Sequence, residues 1–189
     1  MISLKAIIAI ALAYATASLA AVVPLPLPQE YTHSHAKHVN CGEISLFLTG
    51  LPYNHPLVAA QHFDPAVVES LMRHDQAAVI QAGFNIKMVM FGPEEDTNKV
   101  LAEHMPGVDW AATGVGYGVR GGDLDNLTTQ FEDTIQFFRD AVGGPIIFNG
   151  PVGSMLPAIN RHFQTRTDCR KAFAGSGKDL VRNALCTLS

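Results

Sequence analysis

Four short apolar runs, each closed by glycine or by an Asn-Gly turn, constrain this chain more than any other feature. Residues 43–49 (EISLFLT) end at Gly50-Leu51-Pro52, and residues 85–91 (NIKMVMF) end at Gly92-Pro93. The third run, 108 to about 115, leads into Gly116, and the fourth, 145–148, into Asn149-Gly150. Each has the length of a strand, and helical patterns stand between them. Asp64-Pro65 reads as N-cap and first helical residue, and Val67, Val68, Leu71, Ala78 and Val79 give an apolar helical face that stops near Gly83. Residues 94–105 predict a short helix with acids in its first turn, where the helix dipole favours them. Residues 123–142 predict a long amphipathic helix through Leu124, Leu127, Phe131, Ile135 and Phe138, stopped by Gly143-Gly144-Pro145. A last helix is expected over 154–163, where Pro157 is tolerated only in the first turn.

Strands that alternate with helices pair in parallel through right-handed crossovers. The expected fold is therefore α/β: a three-layer Rossmann-like (flavodoxin-like) sandwich of about four parallel strands in the order 2-1-3-4. Around it the chain divides into a signal peptide over 1–20, an extended Pro/His-rich leader over 21–40, a single α/β domain over 41–163, and a more basic tail over 164–189 with a short helix at 179–188. The signal reading rests on Lys5, an uncharged run over 6–19, and Ser18-Leu19-Ala20 placing small residues at −3 and −1. The competing reading is an uncleaved anchor, since no charge stands between Lys5 and Glu30. Alanine, threonine and the prolines Pro24, Pro26 and Pro28 favour the cleaved signal. The expectation is a protein secreted or held in a secretory lumen, with no membrane contact once the signal is removed. A net charge of −4 gives no basic footprint, which excludes nucleic acid as the expected partner. The oligomeric state stays open.

Three cysteines in such a chain predict one disulfide and one cysteine left over. Cys41 precedes the first strand and Cys169 follows the last helix, so both fall toward the edge where strands begin. A Cys41–Cys169 bond is the expected pairing, with Cys186 the alternative partner for either. Asn126-Leu127-Thr128 is a glycosylation sequon if the chain passes through a eukaryotic lumen.

All strand-exit loops of such a sheet gather at one edge, and ligands of open α/β sheets bind there, beside the point where strand order reverses. With the order 2-1-3-4 the first and third loops flank that crevice. Gly116-Tyr117-Gly118-Val119-Arg120-Gly121 formally fits the dinucleotide fingerprint. It lies on the third strand, however, and Asn149 stands where an acid is needed, so a glycine-permitted turn is the reading and no cofactor is expected. The ligand-binding candidates are Gly116, Gly118, Arg120, Gly121 and Asn149. Arg120 is the one fixed cation expected at the crevice, a fork suited to carboxylate or phosphate, and Asn149 either hydrogen-bonds a ligand or caps its loop. Tyr53 and Tyr117 are aromatic candidates for the lining, while Asp109 and Trp110 open the third strand at the opposite edge and read as structural. No metal is expected: His33, His35 and His38 lie in the leader without a scaffold, and His55 with His62 lacks further ligands. G-x-S-x-G, H-E-x-x-H, P-loop and C-x-x-C motifs are all missing from the sequence. His55 and Glu94 are the only titrating groups expected near Arg120.

Over residues 51–163 the chain resembles a group of small, uncharacterised Rossmann-like α/β proteins of bacteria and fungi, as a secreted fungal-type member. The residues that carry the resemblance are Gly83-Phe84-Asn85, Asp109, the run Gly116-Tyr117-Gly118-Val119-Arg120, Phe131-Glu132 and Ile147-Phe148-Asn149. The resemblance implies a fold and no activity, and it carries over only Arg120 and Asn149 as candidates. Two functions are then expected to compete. One is an enzyme or binding protein for a small, anionic metabolite at the sheet edge. The other is a non-catalytic secreted interaction or effector-like protein with an incidental crevice.

Overall fold

The computed structural model describes residues 36–151, 153–165 and 169. The signal segment, His33, His35, Cys186 and the helix expected at 179–188 lie outside the described residues. In chain order the elements are β1 (Lys37–Val39), β2 (Ser45–Gly50), α1 (Pro56–Ala60), α2 (Pro65–Gln81), β3 (Asn85–Met90), α3 (Thr97–His104), β4 (Ala112–Val115), α4 (Tyr117–Arg120), α5 (Asp125–Ala141), β5 (Ile146–Phe148), α6 (Met155–Asn160) and β6 (Phe163–Thr165).

The main sheet is parallel throughout, in the order β3-β2-β4-β5. This is the 2-1-3-4 order expected from the four runs. Local chemistry sets the helix starts: the Asp64 carboxylate accepts from Ala66 N at 2.9 Å ahead of α2, and Asp96 accepts from Lys99 N at 3.0 Å ahead of α3. The third strand is shorter than expected and begins at Ala112. Trp110 is withdrawn from it because its indole is buried and donates from Nε1 to Met105 O at 2.6 Å, closing the end of α3. The expected turn over 116–122 contains a single helical turn, α4.

Two layers cover the sheet. On one face Leu46, Leu48, Ile86, Met88 and Ile147 pack beneath α2 and α6. On the other, Phe47 and Val115 pack beneath α3 and α5 through Leu101, Leu127 and Phe138. Alternate side chains of one strand point to opposite faces, so Phe47 enters one layer while its neighbours Leu46 and Leu48 enter the other.

A second, two-stranded sheet differs from the expected boundaries. β1 pairs in parallel with β6, with Lys37 opposite Phe163 and Val39 opposite Thr165. The leader expected over 21–40 therefore includes an ordered strand at its end, and the domain edge expected at residue 163 falls inside another. Three-residue strands carry no periodicity; they exist because Val39 and Phe163 are buried together against Ala158 and Ile159. Beside them Cys41 and Cys169 form the expected disulfide, with Cα atoms 5.8 Å apart and 128 residues between them in sequence. On the chain-entropy model a loop of this size stabilises by about 4–5 kcal/mol. Gly83, at φ +96°, lies under this bridge, where a Cβ would stand 3.0 Å from that of Cys169. All described residues belong to one compact unit, Ser34–Ser189, and none of their helices is long and apolar enough to cross a membrane.

Candidate functional site

The strand order reverses between β2 and β4. The chain leaves β2 toward α1, α2 and β3, and leaves β4 toward α4, α5 and β5 on the other side. Their exit segments separate and leave a crevice. What makes it deep is side-chain size. On the face covered by α2 and α6, β4 presents Ala112, then Gly114 and Gly116, while β2 ends in Gly50. Gly50 and Gly116 lie side by side: Gly116 N donates to Thr49 O at 2.8 Å, and a Cβ on Gly50 would stand 3.6 Å from Gly116 Cα. A Cβ at Gly50 would meet only ordinary contacts, while at Gly114 its place is taken by Leu48 and by Ile147 O.

The space left is a cavity of about 120 Å³, floored by Leu48, Gly114 and Ile147. Its walls hold four of the chain's six methionines: Met72 from α2, Met88 and Met90 from β3, and Met155 at the start of α6. Phe63, Val58, Val68 and Tyr117 close the remaining side. Among the described lining residues none carries a charge, and the polar side chains are Thr49, Gln61, Asn149 and Tyr117. Thr49 Oγ1 already donates to Val89 O at 2.7 Å. Gln61 Nε2 donates to Leu57 O at 3.1 Å and Gly118 O at 3.2 Å. The Asn149 amide has no hydrogen-bond partner among the described residues and is half-buried at the mouth.

Of the five ligand-binding candidates, Gly116, Gly118 and Asn149 line this cavity, and Arg120 and Gly121 do not. Arg120 is exposed; its Nη2 donates to Asn149 O at 2.9 Å, and its guanidinium lies 5.3 Å from the Tyr117 ring centre and 6.0 Å from that of Phe148. It ties the exit of β5 to the loop after β4. Gly121 leaves room for the Tyr117 ring, which a Cβ there would strike. Four of the loop's backbone amides are engaged as well. Gly116 N donates to Thr49 O, Val119 N and Arg120 N both donate to Gly116 O, and Gly121 N donates to Tyr117 O. Of the two tyrosines considered for the lining, Tyr117 contributes and Tyr53 does not.

His55 and Glu94 meet each other at the same sheet edge, at 3.0 Å. His55 is the N-cap of α1, and its Nδ1 accepts from Leu57 N at 3.2 Å, so the neutral ring carries its proton on Nε2 and donates it to Glu94. A hydrogen bond from its own backbone holds the Glu94 carboxyl below its usual range, opposed by burial and helped by the His55 pairing. With both ring nitrogens engaged, His55 has none left to exchange a proton with a substrate. Gly92 makes the pair fit, since a Cβ there would collide with both side chains. His62 is exposed, and no group of three metal-binding side chains occurs among the described residues.

One residue escaped the sequence reading. Asp75 of α2 is buried and accepts from Met155 N at 3.4 Å, capping α6 from across the layer. Burial raises its carboxyl above the ordinary value, with the Met155 amide, His74 and the Ser154 amide opposing it. The available signal was its spacing: Asp75 falls four residues after Leu71 and four before Val79, on the apolar stripe. Asn126, of the sequon, is exposed in the first turn of α5. Comparisons with protein-family models, curated protein sequences and solved structures found no match.

Proposed function

We propose that this protein captures a small molecule in the cavity at the C-terminal ends of β2 and β4, and that its role is binding rather than turnover. The observation that carries this reading is the position of the cavity: it opens where the strand order reverses, and Gly50, Gly114 and Gly116 line it at the centre of the sheet. An unfilled core at that place costs stability, since each missing methyl-sized group costs ~1 kcal/mol. A ligand that fills it returns that contact. Binding is favoured over turnover because the described lining offers no carboxylate, imidazole, amine or thiol to move a proton. The Cys41–Cys169 disulfide supports an oxidising, secretory setting for this binding, and exposure of Asn126 supports use of the sequon.

A thermal-shift screen with neutral, acidic and basic small molecules tests the reading on wild type and on Gly50→Val. A Cβ at Gly50 meets only ordinary contacts, 3.5 Å from Met90 Sδ at the closest, and the two further methyls of valine add bulk to the cavity lining. Ligands that stabilise wild type are expected to lose their effect on Gly50→Val. Equal stabilisation of both proteins places the binding elsewhere and overturns the proposal. A screen without any stabilising molecule favours the secreted interaction protein.

A further inference from the structure

We infer that the ligand of this cavity is an uncharged molecule with a slim apolar body, one ring or a short branched chain in size, carrying a single hydrogen-bonding group at the end that faces Asn149. The inference rests on the small-molecule reading of the same cavity and replaces the anionic ligand expected from Arg120.

Size comes first. An apolar cavity of roughly 150 Å³ holds benzene, and about 120 Å³ open at one end admits a body of that width. Wall chemistry points the same way. Met72, Met88, Met90 and Met155 enter from three elements, and methionine's unbranched thioether adapts its shape and makes favourable contacts with aromatic rings. Such walls accommodate small differences in apolar shape and supply nothing for a charge.

Charge is excluded by what surrounds the space. An ionised group moved from water into an apolar site without a partner is strongly disfavoured. Two cations reach the exit of β5: Arg120 is held by Asn149 O and stacked against Tyr117 and Phe148, and Arg161 is held by Phe148 O. Of the loop amides, those of Gly116, Val119, Arg120 and Gly121 already donate within the chain, and the single turn of α4 is too short for a helix-end anion site. One neutral polar group is accepted, because the Asn149 amide offers a donor and an acceptor at the mouth. Its backbone is fixed by Arg120, which makes Arg120 a positioning residue for that contact.

Methionine-methyl NMR of the full chain, with benzyl alcohol, toluene, benzoate and benzylammonium as probes, tests the class directly. Met105 is the internal reference, since it is buried on the opposite face beside Trp110. Benzyl alcohol is expected to move the methyl signals of Met72, Met88, Met90 and Met155 and leave Met105 in place. Benzoate and benzylammonium are expected to bind at least ~10-fold more weakly. Asn149→Ala is expected to weaken benzyl alcohol and leave toluene unchanged, while Gly50→Val abolishes both responses with the Met105 signal retained. Comparable shifts with benzoate overturn the uncharged class and leave the cavity reading standing. So does silence with all neutral probes when an ionic molecule from the thermal-shift screen moves the same four methyls. If no small molecule moves them, both readings fail.

Discussion

The two faces of the same sheet are built to opposite ends. Toward α3 and α5, β2 presents Phe47, whose ring meets Trp110 at 5.3 Å and Phe138 at 6.0 Å, both edge-on. Toward α2 and α6, the same two central strands offer Leu48, Ala112 and three glycines, with thioethers in place of rings. The aromatic face is packed against the sheet by rigid rings, with a polar recess farther out between α3 and α5, and the methionine face keeps an apolar space at the sheet itself. Ring packing is concentrated on one side and the apolar cavity on the other, although both are written into strands only six and four residues long.

The sharpest way to break that contrast is on the filled face. Phe47→Ala removes a fully buried ring from between two others and is expected to cost about 3–5 kcal/mol in denaturant unfolding. A loss below ~1 kcal/mol would mean that this face is loosely packed too. Next comes the disulfide under the methionine face. Cys41→Ser with Cys169→Ser is expected to cost about 2–4 kcal/mol and to raise proteolytic cleavage near β1 and β6 first. Uniform susceptibility across the chain would show that the small sheet is not held by that bond.

Gly50→Val is expected to cost no more than about 1–3 kcal/mol while abolishing ligand response, since its Cβ meets only ordinary contacts and its methyls enter the cavity lining. A larger destabilisation would show that the methionine face is already full. The smallest effect belongs to Asp75, whose carboxyl burial raises above 3.8. The folded state holds that proton more tightly than the unfolded chain, so the stability it contributes is complete below the unfolded value. That contribution is lost as pH rises through the unfolded and then the folded value. Asp75→Asn keeps an acceptor for Met155 N and carries no charge. It should be more stable than wild type at neutral pH, with the gap shrinking toward zero below pH 3.8 in pH-dependent melting. A variant less stable than wild type at neutral pH would mean that the ionised carboxylate is the better cap for α6.

The same contrast explains what was legible beforehand. Phe47, Leu127 and Phe138 declare themselves by apolar spacing, because large side chains must be buried somewhere. Gly50, Gly114 and Gly116 are ambiguous: a glycine after an apolar run ends a strand, bends toward a phosphate or vacates a volume with the same letter. Here the three differ: a Cβ at Gly50 meets only ordinary contacts, whereas at Gly114 its place is taken by the Leu48 side chain and Ile147 O. Arg120 was visible as a cation at the right edge. That its fork would close on Asn149 O and two rings depended on where β5 ends relative to α4.

By itself the sequence determined the alternation of strand and helix and the edge at which a crevice forms, and it favoured the strand order and the Cys41–Cys169 pairing that the structure has. These follow from local periodicity and from the handedness of short crossovers, which act within one or two elements. Only the tertiary structure decided that β1 and β6 exist, that His55 and Glu94 occupy one another, and that four methionines scattered from residue 72 to residue 155 line one space. Each of those depends on groups distant in sequence arriving at the same place, and a contact of that kind leaves no periodic trace in the chain.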